Sequence, residues 1–598
     1  MDNKYFILML ALYILPYLFY VSVSHGLGHK AEYLQLRRFI PCAILAVLPV
    51  ALANVPLTSP MFLTSFITGI AWIITYPFLY FITYRKNSSD FGFHLDTVFG
   101  LYVIGWLMSL KILVINFNLL PSVFLPVIAT IEFFIFLIPV AQWIYYYLYG
   151  SCINENGITL IQETYINETI EFIKSFPFLF NLSVVMLSIA AYATFIQANL
   201  IFFPIKLTII YVGIIFAVAV FLTYYLWKNG TTAKKQGVFV RTGIIELYLD
   251  VKKYLKSIHL YKENLNERVK NLEVTQNGEP FDKPSTIIMV IGESESRDYM
   301  SAFTDYPVET TPWLSEKKNL KNFILYPNTY SCIASTAQSL SNALTEINQY
   351  NNKEFYSSCS VIDIAHKAGY STYWYSNQGN LGDSSTAVTI IANTCGTSKW
   401  TKQNLNLVQY DEALLEYLDE IDPTKNNFVV FHLKGNHFNF INRYPQNFAK
   451  FSEPEKYDLI PNYIDSIRYT DYILQKIWKY GKQKLNLQAM LYFSDHAVIP
   501  DKRRSPNFDG FGTVRIPMFT YFSDEYIEKH TNIFTALSDN QNKHFTNDLI
   551  YELVCGIFDV KSNHYDETNS LASSKYKYTR DMLKTDLGRM WIKDDDNN

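Results

Sequence analysis

The chain has no CxxC pair, no basic tract, no zinc-knuckle spacing and no aromatic-rich RNP-like motif. With a formal net charge of only −3, these absences remove nucleic acid from the expected partners. Cysteine is scarce, with six in 598 residues. Cys42 falls in an apolar run, Cys152 in a loop, and Cys332, Cys359, Cys395 and Cys555 in the polar second half. Those four thiols fit either reduced side chains or partial bridging, and Cys359 with Cys395 is the pairing expected if one forms. Long apolar runs are missing after about residue 228, where charged residues and Asn take over. The sequence therefore separates into a membrane part and a water-soluble part.

In the first part, apolar segments at about 5–23, 61–83, 97–117, 121–149, 177–197 and 203–227 match the ~20 residues needed to cross ~30 Å of hydrocarbon. A shorter segment, 39–55, is expected to span as well, giving a transmembrane domain over 1–228 with about seven crossings. Seven crossings from an inside N-terminus leave Lys30, Arg37, Arg38, Arg85 and Lys86 on the outer side, against the positive-inside tendency. The first segment lacks a small-residue cleavage site and reads as an anchor. Loop 150–176 carries apolar residues at helical spacing, the pattern of a helix lying on the bilayer surface. Residues 229–283 form a Lys-rich juxtamembrane linker with an amphipathic helix near 242–270.

From Pro284 the pattern alternates between short apolar strands and helices. Strand 286–294 leads, followed by helix 360–370, strand 371–378, helix 411–421, strand 427–437, helix 462–480, strand 488–496 and helix 546–560. Continuous apolar strands between helices predict a mainly parallel sheet covered on both faces. In such sheets, ligands sit beyond the carboxyl ends of the strands. Those ends carry Glu293, His432, His437 and the pair Asp495-His496, an oxygen and imidazole set suited to a divalent metal such as zinc. Two adjacent polar residues closing the run AMLYF have no packing reason to be there, whereas His432, followed by Leu433, reads as a core or supporting residue. The hydroxyl-rich stretch 328-NTYSCIASTAQSLSNAL-344 reads first as a helix N-cap. The tail 593-KDDDNN-598 reads as disordered.

The set 291-IGESESRDYMSAF-303, 331-SCIASTAQS-339, 362-IDIAHKAGYSTYWYSNQ-378, 434-KGNHFNFINRYP-445, 463-YIDSIRYTDYIL-474 and 493-FSDH-496 resembles the phosphoethanolamine transferases of Gram-negative envelopes, in the alkaline phosphatase/sulfatase superfamily. The resemblance implies an α-helical transmembrane domain plus an alkaline-phosphatase-like α/β domain. It places a sulfatase-like catalytic domain over 284–575, ahead of a C-terminal tail, 576–598. It further implies a multi-pass protein of the bacterial inner membrane with its catalytic domain in the periplasm. Similarity of 157-GITLIQETYINETIEFIK-174 to the family's membrane-proximal loop agrees with that orientation, although five spans are usual in the family.

By the resemblance, Thr336 is the nucleophile and Glu293, Thr336, Asp495 and His496 hold zinc, which would lower the pKa of a bound oxygen by many units. His437 is then a phosphate ligand or leaving-group acid, and Asn377 and Gln378 contact substrate. Phosphatidylethanolamine would be the donor, and lipopolysaccharide or another envelope glycan the acceptor, with core oligosaccharide favoured over lipid A. The chain departs from the family at Ala497-Val498, where many relatives have Gly-Glu, and lacks the histidine expected before 514-VRIPMF-519. Arg503 and Arg504 stand near that place as candidate anion contacts. One zinc site is thus expected, without a complete second one. The nucleophile region lacks the CxPxR pattern of formylglycine sulfatases. A glycerophosphate transferase or phosphodiesterase of the same superfamily, and a membrane-anchored glycan-binding protein without turnover, are the alternative readings.

Overall fold

The computed structural model describes residues 3–26, 36–84, 93–149, 153, 173, 177–228, 243–378, 386–401, 409–453, 456, 458–502 and 510–596. The chain divides near Lys252 into two units. The first is helical: α1 (Asn3–Gly26), α2 (Leu36–Leu52), α3 (Pro60–Tyr84), α4 (Phe93–Asn116), α5 (Pro121–Tyr149), α6 (Phe178–Leu200) and α7 (Ile209–Lys228). Among the described residues, six of these helices, all but α2, are long and apolar enough to cross a membrane. The expected short span at 39–55 corresponds to α2, which has 17 residues and contains Pro41 and Pro49. At 1.5 Å per residue α2 reaches about 26 Å, less than the ~30 Å hydrocarbon core. Arg38, counted as an outer loop charge in the sequence, lies inside α2 and is 2% exposed. Loop 150–176, apart from Ile153 and Ile173, lies outside the described residues, as do Cys152, Arg503 and Arg504.

Helices α3 and α4 approach closely where Gly69 faces Gly100; a Cβ on Gly69 would stand 2.6 Å from the Gly100 carbonyl oxygen. Beside that contact lies a buried polar cluster. Lys111 Nζ donates to Glu132 Oε1 and Oε2 at 2.8 and 2.9 Å, to Ser65 Oγ at 2.8 Å and to the Met61 carbonyl at 2.9 Å. Asn199 Nδ2 reaches Glu132 Oε2 at 3.1 Å, so α3, α4, α5 and α6 meet in one hydrogen-bonded group.

The second unit is α/β. Its main sheet has seven strands: β1 (Thr286–Gly292), β2 (Phe323–Leu325), β3 (Ser371–Ser376), β4 (Thr397–Trp400), β5 (Asn427–His432), β6 (Leu487–Ser494) and β7 (Met518–Phe522), in the order β2-β7-β6-β1-β5-β3-β4. The pairs among β4, β3, β5, β1 and β6 are parallel, and β7 runs antiparallel to both β6 and β2. Alternate residues feed two cores. Ile287, Met289 and Ile291 face one with helices α9 (Val361–Lys367) and α11 (Ile550–Ile557); Ile288 and Val290 face the other with α10 (Leu459–Lys484). Burial on both faces is why the strands read as unbroken apolar runs. Helix α10 contributes Tyr463, Ile467, Thr470, Leu474 and Ile477, a stripe at spacings of four and three.

Several expectations are corrected. The helix at 411–421 is a 3₁₀ segment, Asp411–Glu420, because the Asp411 carboxylate accepts from the backbone of 434–435 and no side-chain cap starts an α-helix there. The amphipathic helix near 242–270 is divided into Gly243–Glu263 and Leu265–Lys270. Cys359 and Cys395 do not pair: all five described cysteines are free, and the Cys359 thiol instead points to the Arg268 carbonyl at 3.7 Å. The tail is folded through residue 596. Leu583 and Ile592 are fully buried, and Asp595 accepts from Arg515 Nε at 2.8 Å and from Tyr330 Oη at 3.0 Å. Two buried aliphatic residues and a paired acid outweigh the polar run that suggested disorder.

Candidate active site

Strands β1 and β6 are neighbours and end together, so Glu293 and the pair Asp495-His496 emerge side by side. The chain turns sharply there. Ser294 takes a left-handed φ of 57°, a conformation that costs a non-glycine residue about 1–2 kcal/mol and is held by its surroundings. Its N–H donates to Asp495 Oδ1 at 2.9 Å and its hydroxyl to Glu293 Oε1 at 2.6 Å. Tyr463 Oη donates to the Ser294 carbonyl at 2.9 Å and accepts from Ser296 N–H at 2.8 Å, bracing the turn from α10.

Thr336 is the first residue of α8 (Thr336–Ala343). Its hydroxyl lies 3.1 Å from Glu293 Oε2 and 3.3 Å from His496 Nε2. His496 Nε2 stands 3.6 Å from Glu293 Oε1 and 3.5 Å from Asp495 Oδ2. The imidazole Nδ1 faces the Ala497 carbonyl at 3.0 Å, which makes Nδ1 the protonated nitrogen and leaves the Nε2 lone pair toward the threonine and the carboxylates. Among the described residues, Asp495 Oδ2 is buried without a hydrogen-bond partner. Burial pushes the Asp495 carboxyl above its ordinary range, against the lowering effect of the Ser294 N–H. Ligand atoms of Glu293, Asp495 and His496 all lie within 4.8 Å of one another. Two buried carboxylates, one oxygen without a partner and an imidazole lone pair, all aimed at one point, fit a divalent cation.

The hydroxyl cluster has another use than the expected cap. Ser335, the N-cap of α8, makes no side-chain cap bond. Ser331 and Ser339 hydroxyls each lie 2.6 Å from the Asp495 carbonyl oxygen, and Asn547 Nδ2 donates to the same oxygen at 2.8 Å. Asn547 Oδ1 accepts from Cys332 N–H at 2.9 Å, which fixes the amide orientation. The peptide joining Asp495 to His496 is thereby tied to both ends of the segment that carries Thr336.

On the other side, β5 leads into the turn 434–437. Asp411 accepts from Lys434 N at 2.7 Å and Gly435 N at 2.8 Å, and the turn docks on the first strand end through Asn436 N donating to the Glu293 carbonyl at 2.9 Å. Gly435 has φ +49°, and a Cβ there would lie 2.9 Å from Glu293 N, so only glycine fits. His437 closes the turn, its Nδ1 3.4 Å from the Phe438 carbonyl. Gln378 Nε2 contacts Glu293 Oε2 at 3.4 Å and the Leu433 carbonyl at 2.7 Å. Asn377 is turned inward: 1% exposed, it donates to Asp411 Oδ1 at 2.8 Å and accepts from Thr401 at 2.6 Å, which is a scaffold role and not the expected substrate contact. His432 packs edge-on to Trp374 with ring centroids 6.0 Å apart, and burial lowers its pKa to about 3. Asn547, Asp411, Ser331, Ser339 and Tyr463 support the site without having been singled out in the sequence.

Fold and site together define an α/β domain of the alkaline-phosphatase kind, with a threonine at a helix N-terminus facing a carboxylate and imidazole set. The comparisons agree: residues 285–553 match the Sulfatase family. Phosphoethanolamine transferase EptC of Escherichia coli K12 is 24% identical over 475 residues, covering 73% of this chain and 80% of that protein. Phosphoethanolamine transferase EptA of Helicobacter pylori is 29% identical over 323 residues, covering 50% of this chain and 58% of that protein. The integral membrane lipooligosaccharide phosphoethanolamine transferase A of Neisseria meningitidis superposes with a TM-score of 0.53 at 18% identity, over 88% of this chain and 98% of that one. Residues 285–553 thus match the Sulfatase family, six helices among the described residues before them are long and apolar enough to cross a membrane, and the chain is similar to phosphoethanolamine transferases.

Proposed function

We propose that the protein transfers phosphoethanolamine from phosphatidylethanolamine to lipopolysaccharide, from the bacterial inner membrane and with its α/β domain in the periplasm. The convergence of Glu293, Asp495 and His496 on the Thr336 hydroxyl carries this reading. These residues would hold zinc, whose charge would lower the pKa of the hydroxyl and stabilise the equatorial oxygens of the transferred group.

In the first step the Thr336 hydroxyl gives its proton to Glu293, 3.1 Å away, and its oxygen forms a bond to phosphorus while the bond to the diacylglycerol oxygen breaks. Glu293 orients the hydroxyl, and N–H groups at the start of α8 face the phosphate. His437 is assigned the proton delivered to the leaving oxygen. In the second step an acceptor hydroxyl gives its proton to His437 as its oxygen takes phosphorus from threonine, and the proton held by Glu293 restores the Thr336 hydroxyl. Core oligosaccharide is favoured over lipid A on the 376-SNQ-378 stretch, of which Gln378 is the part in contact with Glu293. Arg503 and Arg504 are assigned to anionic groups of the acceptor.

The test is a mass comparison of lipid A and core fragments from a Gram-negative host expressing the full chain or its Thr336→Ala variant. A phosphoethanolamine increment that appears with the wild type and vanishes with Thr336→Ala supports the reading. Unchanged masses of both fragments with a correctly inserted wild-type protein contradict it.

A further inference from the structure

We propose that Glu346, Cys359 and His564 form a second metal site, for zinc or another thiophilic divalent cation, at the far end of the helix that begins with Thr336. Helix α8 ends at Ala343, and Glu346 follows its C-cap, Leu344. Eight helical residues span about 12 Å, so the group is separate from the one at the N-terminus of α8.

Two segments 13 residues apart and a third far away in sequence bring these ligands together. Glu346 lies beyond α8, Cys359 precedes α9, and His564 follows the strand Val560–Ser562, which pairs with Val274–Gln276. One ligand atom from each lies within 4.8 Å of the others. In a tetrahedral zinc site with bonds of about 2.0–2.3 Å, ligand atoms stand roughly 3.4–3.7 Å apart, so closure needs a movement of about an ångström. His564 Nδ1 already lies 3.1 Å from both Glu346 oxygens. The carboxylate is fixed by Cys359 N–H, which donates to Glu346 Oε1 at 2.8 Å, while Glu346 N–H donates to the Cys359 carbonyl at 3.1 Å. The thiol gives up only a weak contact, the one at 3.7 Å to the Arg268 carbonyl.

Sulfur, imidazole and carboxylate are a donor set that zinc takes up with three protein ligands and an open fourth position. On binding, the thiol proton leaves to solvent, and the imidazole proton at His564 Nδ1 passes to Nε2 so that the Nδ1 lone pair faces the cation. The Lys353 ammonium rests on Glu346 Oε2. Its side chain is 47% exposed and free to swing into water, so it acts as a competing cation whose removal strengthens metal binding. A bound metal would fasten α8, α9 and the C-terminal segment at one point.

Cobalt(II) distinguishes this site from the catalytic group, which contains no sulfur: only a thiolate ligand gives an intense charge-transfer band in the near ultraviolet. The full chain in detergent, carrying Glu293→Gln and His496→Ala to disable the first group, is titrated with cobalt and then with zinc. A thiolate band reaching one cobalt per chain, lost on addition of Cys359→Ser, displaced by zinc and formed at several-fold lower cobalt concentration with Lys353→Met, is expected. The absence of a band in a folded chain, or a band that survives Cys359→Ser, overturns the proposal. Because Lys353→Met removes no ligand, it tests the site even if Cys359→Ser fails to fold. Neither result depends on the transferase reading, which is judged by products.

Discussion

Replacing Asn547 with alanine tests whether the catalytic group is positioned from behind. The Asn547 amide donates to the Asp495 carbonyl at 2.8 Å and to Ser339 Oγ at 2.8 Å, and accepts from Cys332 N–H at 2.9 Å. Alanine leaves the buried Cys332 N–H without that acceptor, at a cost of about 1–3 kcal/mol, and removes two further bonds worth about 1 kcal/mol each. A destabilisation of about 3–5 kcal/mol is expected. Ser331 and Ser339 still reach the Asp495 carbonyl, so the fold survives. A shift of the 495–496 peptide moves two side chains of the site at once, and displacements near 1 Å cost about 10²-fold in rate. Under the proposed function, turnover and bound zinc are expected to fall together while donor KM changes little. Asn547→Asp keeps the acceptor for Cys332 but sets a carboxylate oxygen against the Asp495 carbonyl, and should be worse than alanine in both stability and turnover. Thermal unfolding, metal content and steady-state rates on the same preparations are the assay. A variant that loses stability but keeps wild-type turnover and zinc content would refute the positioning argument.

Gly435→Ala should lower stability by about 2–4 kcal/mol, from its left-handed φ and the contact its Cβ would make with the Glu293 backbone, and reduce transfer more than Ala substitutions elsewhere in the turn; unchanged rates would refute this. Lys111→Met should destabilise the membrane unit by about 3–5 kcal/mol because Glu132 is left charged and buried, and Lys111→Met with Glu132→Gln should recover much of it, as read from unfolding in detergent. Asp471 accepts from Trp313 and Leu314 N–H, yet burial raises its pKa to about 7 against an ordinary 3.8. An acid held protonated in the fold contributes stability that is complete below pH ~4 and lost as pH rises through about 7, with a slope of at most about 1.4 kcal/mol per pH unit. Asp471→Asn should flatten the stability profile across that window, and an unchanged slope would contradict the assignment.

The sheet was legible because β1, β5 and β6 are buried on both faces and write their periodicity as continuous apolar runs. So were the strand ends, where Glu293, Asp495 and His496 interrupt such runs with no packing purpose. Strands β2 and β4 were not, since three or four residues carry too little pattern, and β4 reads TSKW with no apolar run. The folded tail was hidden by acidic residues whose partners, Arg515 and Tyr330, lie far away in sequence. Asn377 misled because a polar residue at a strand end looks like a contact until its amide is seen spent on Asp411 and Thr401. Asn547 offered no signal beyond a polar residue at the start of a helix; its role exists only through three segments meeting at one carbonyl. The N-cap reading of the serine cluster failed for the same reason, as Ser331 and Ser339 serve a distant backbone oxygen in place of their own helix.

The most direct measurement is made on the zinc-loaded full chain, mixed with phosphatidylethanolamine labelled in its headgroup, without acceptor, quenched in acid and digested. The expected result is labelled phosphoethanolamine on the peptide containing Thr336, absent from Glu293→Gln and removed on addition of acceptor. Label confined to another residue, or transfer to acceptor by Thr336→Ala at the wild-type rate, would contradict the account.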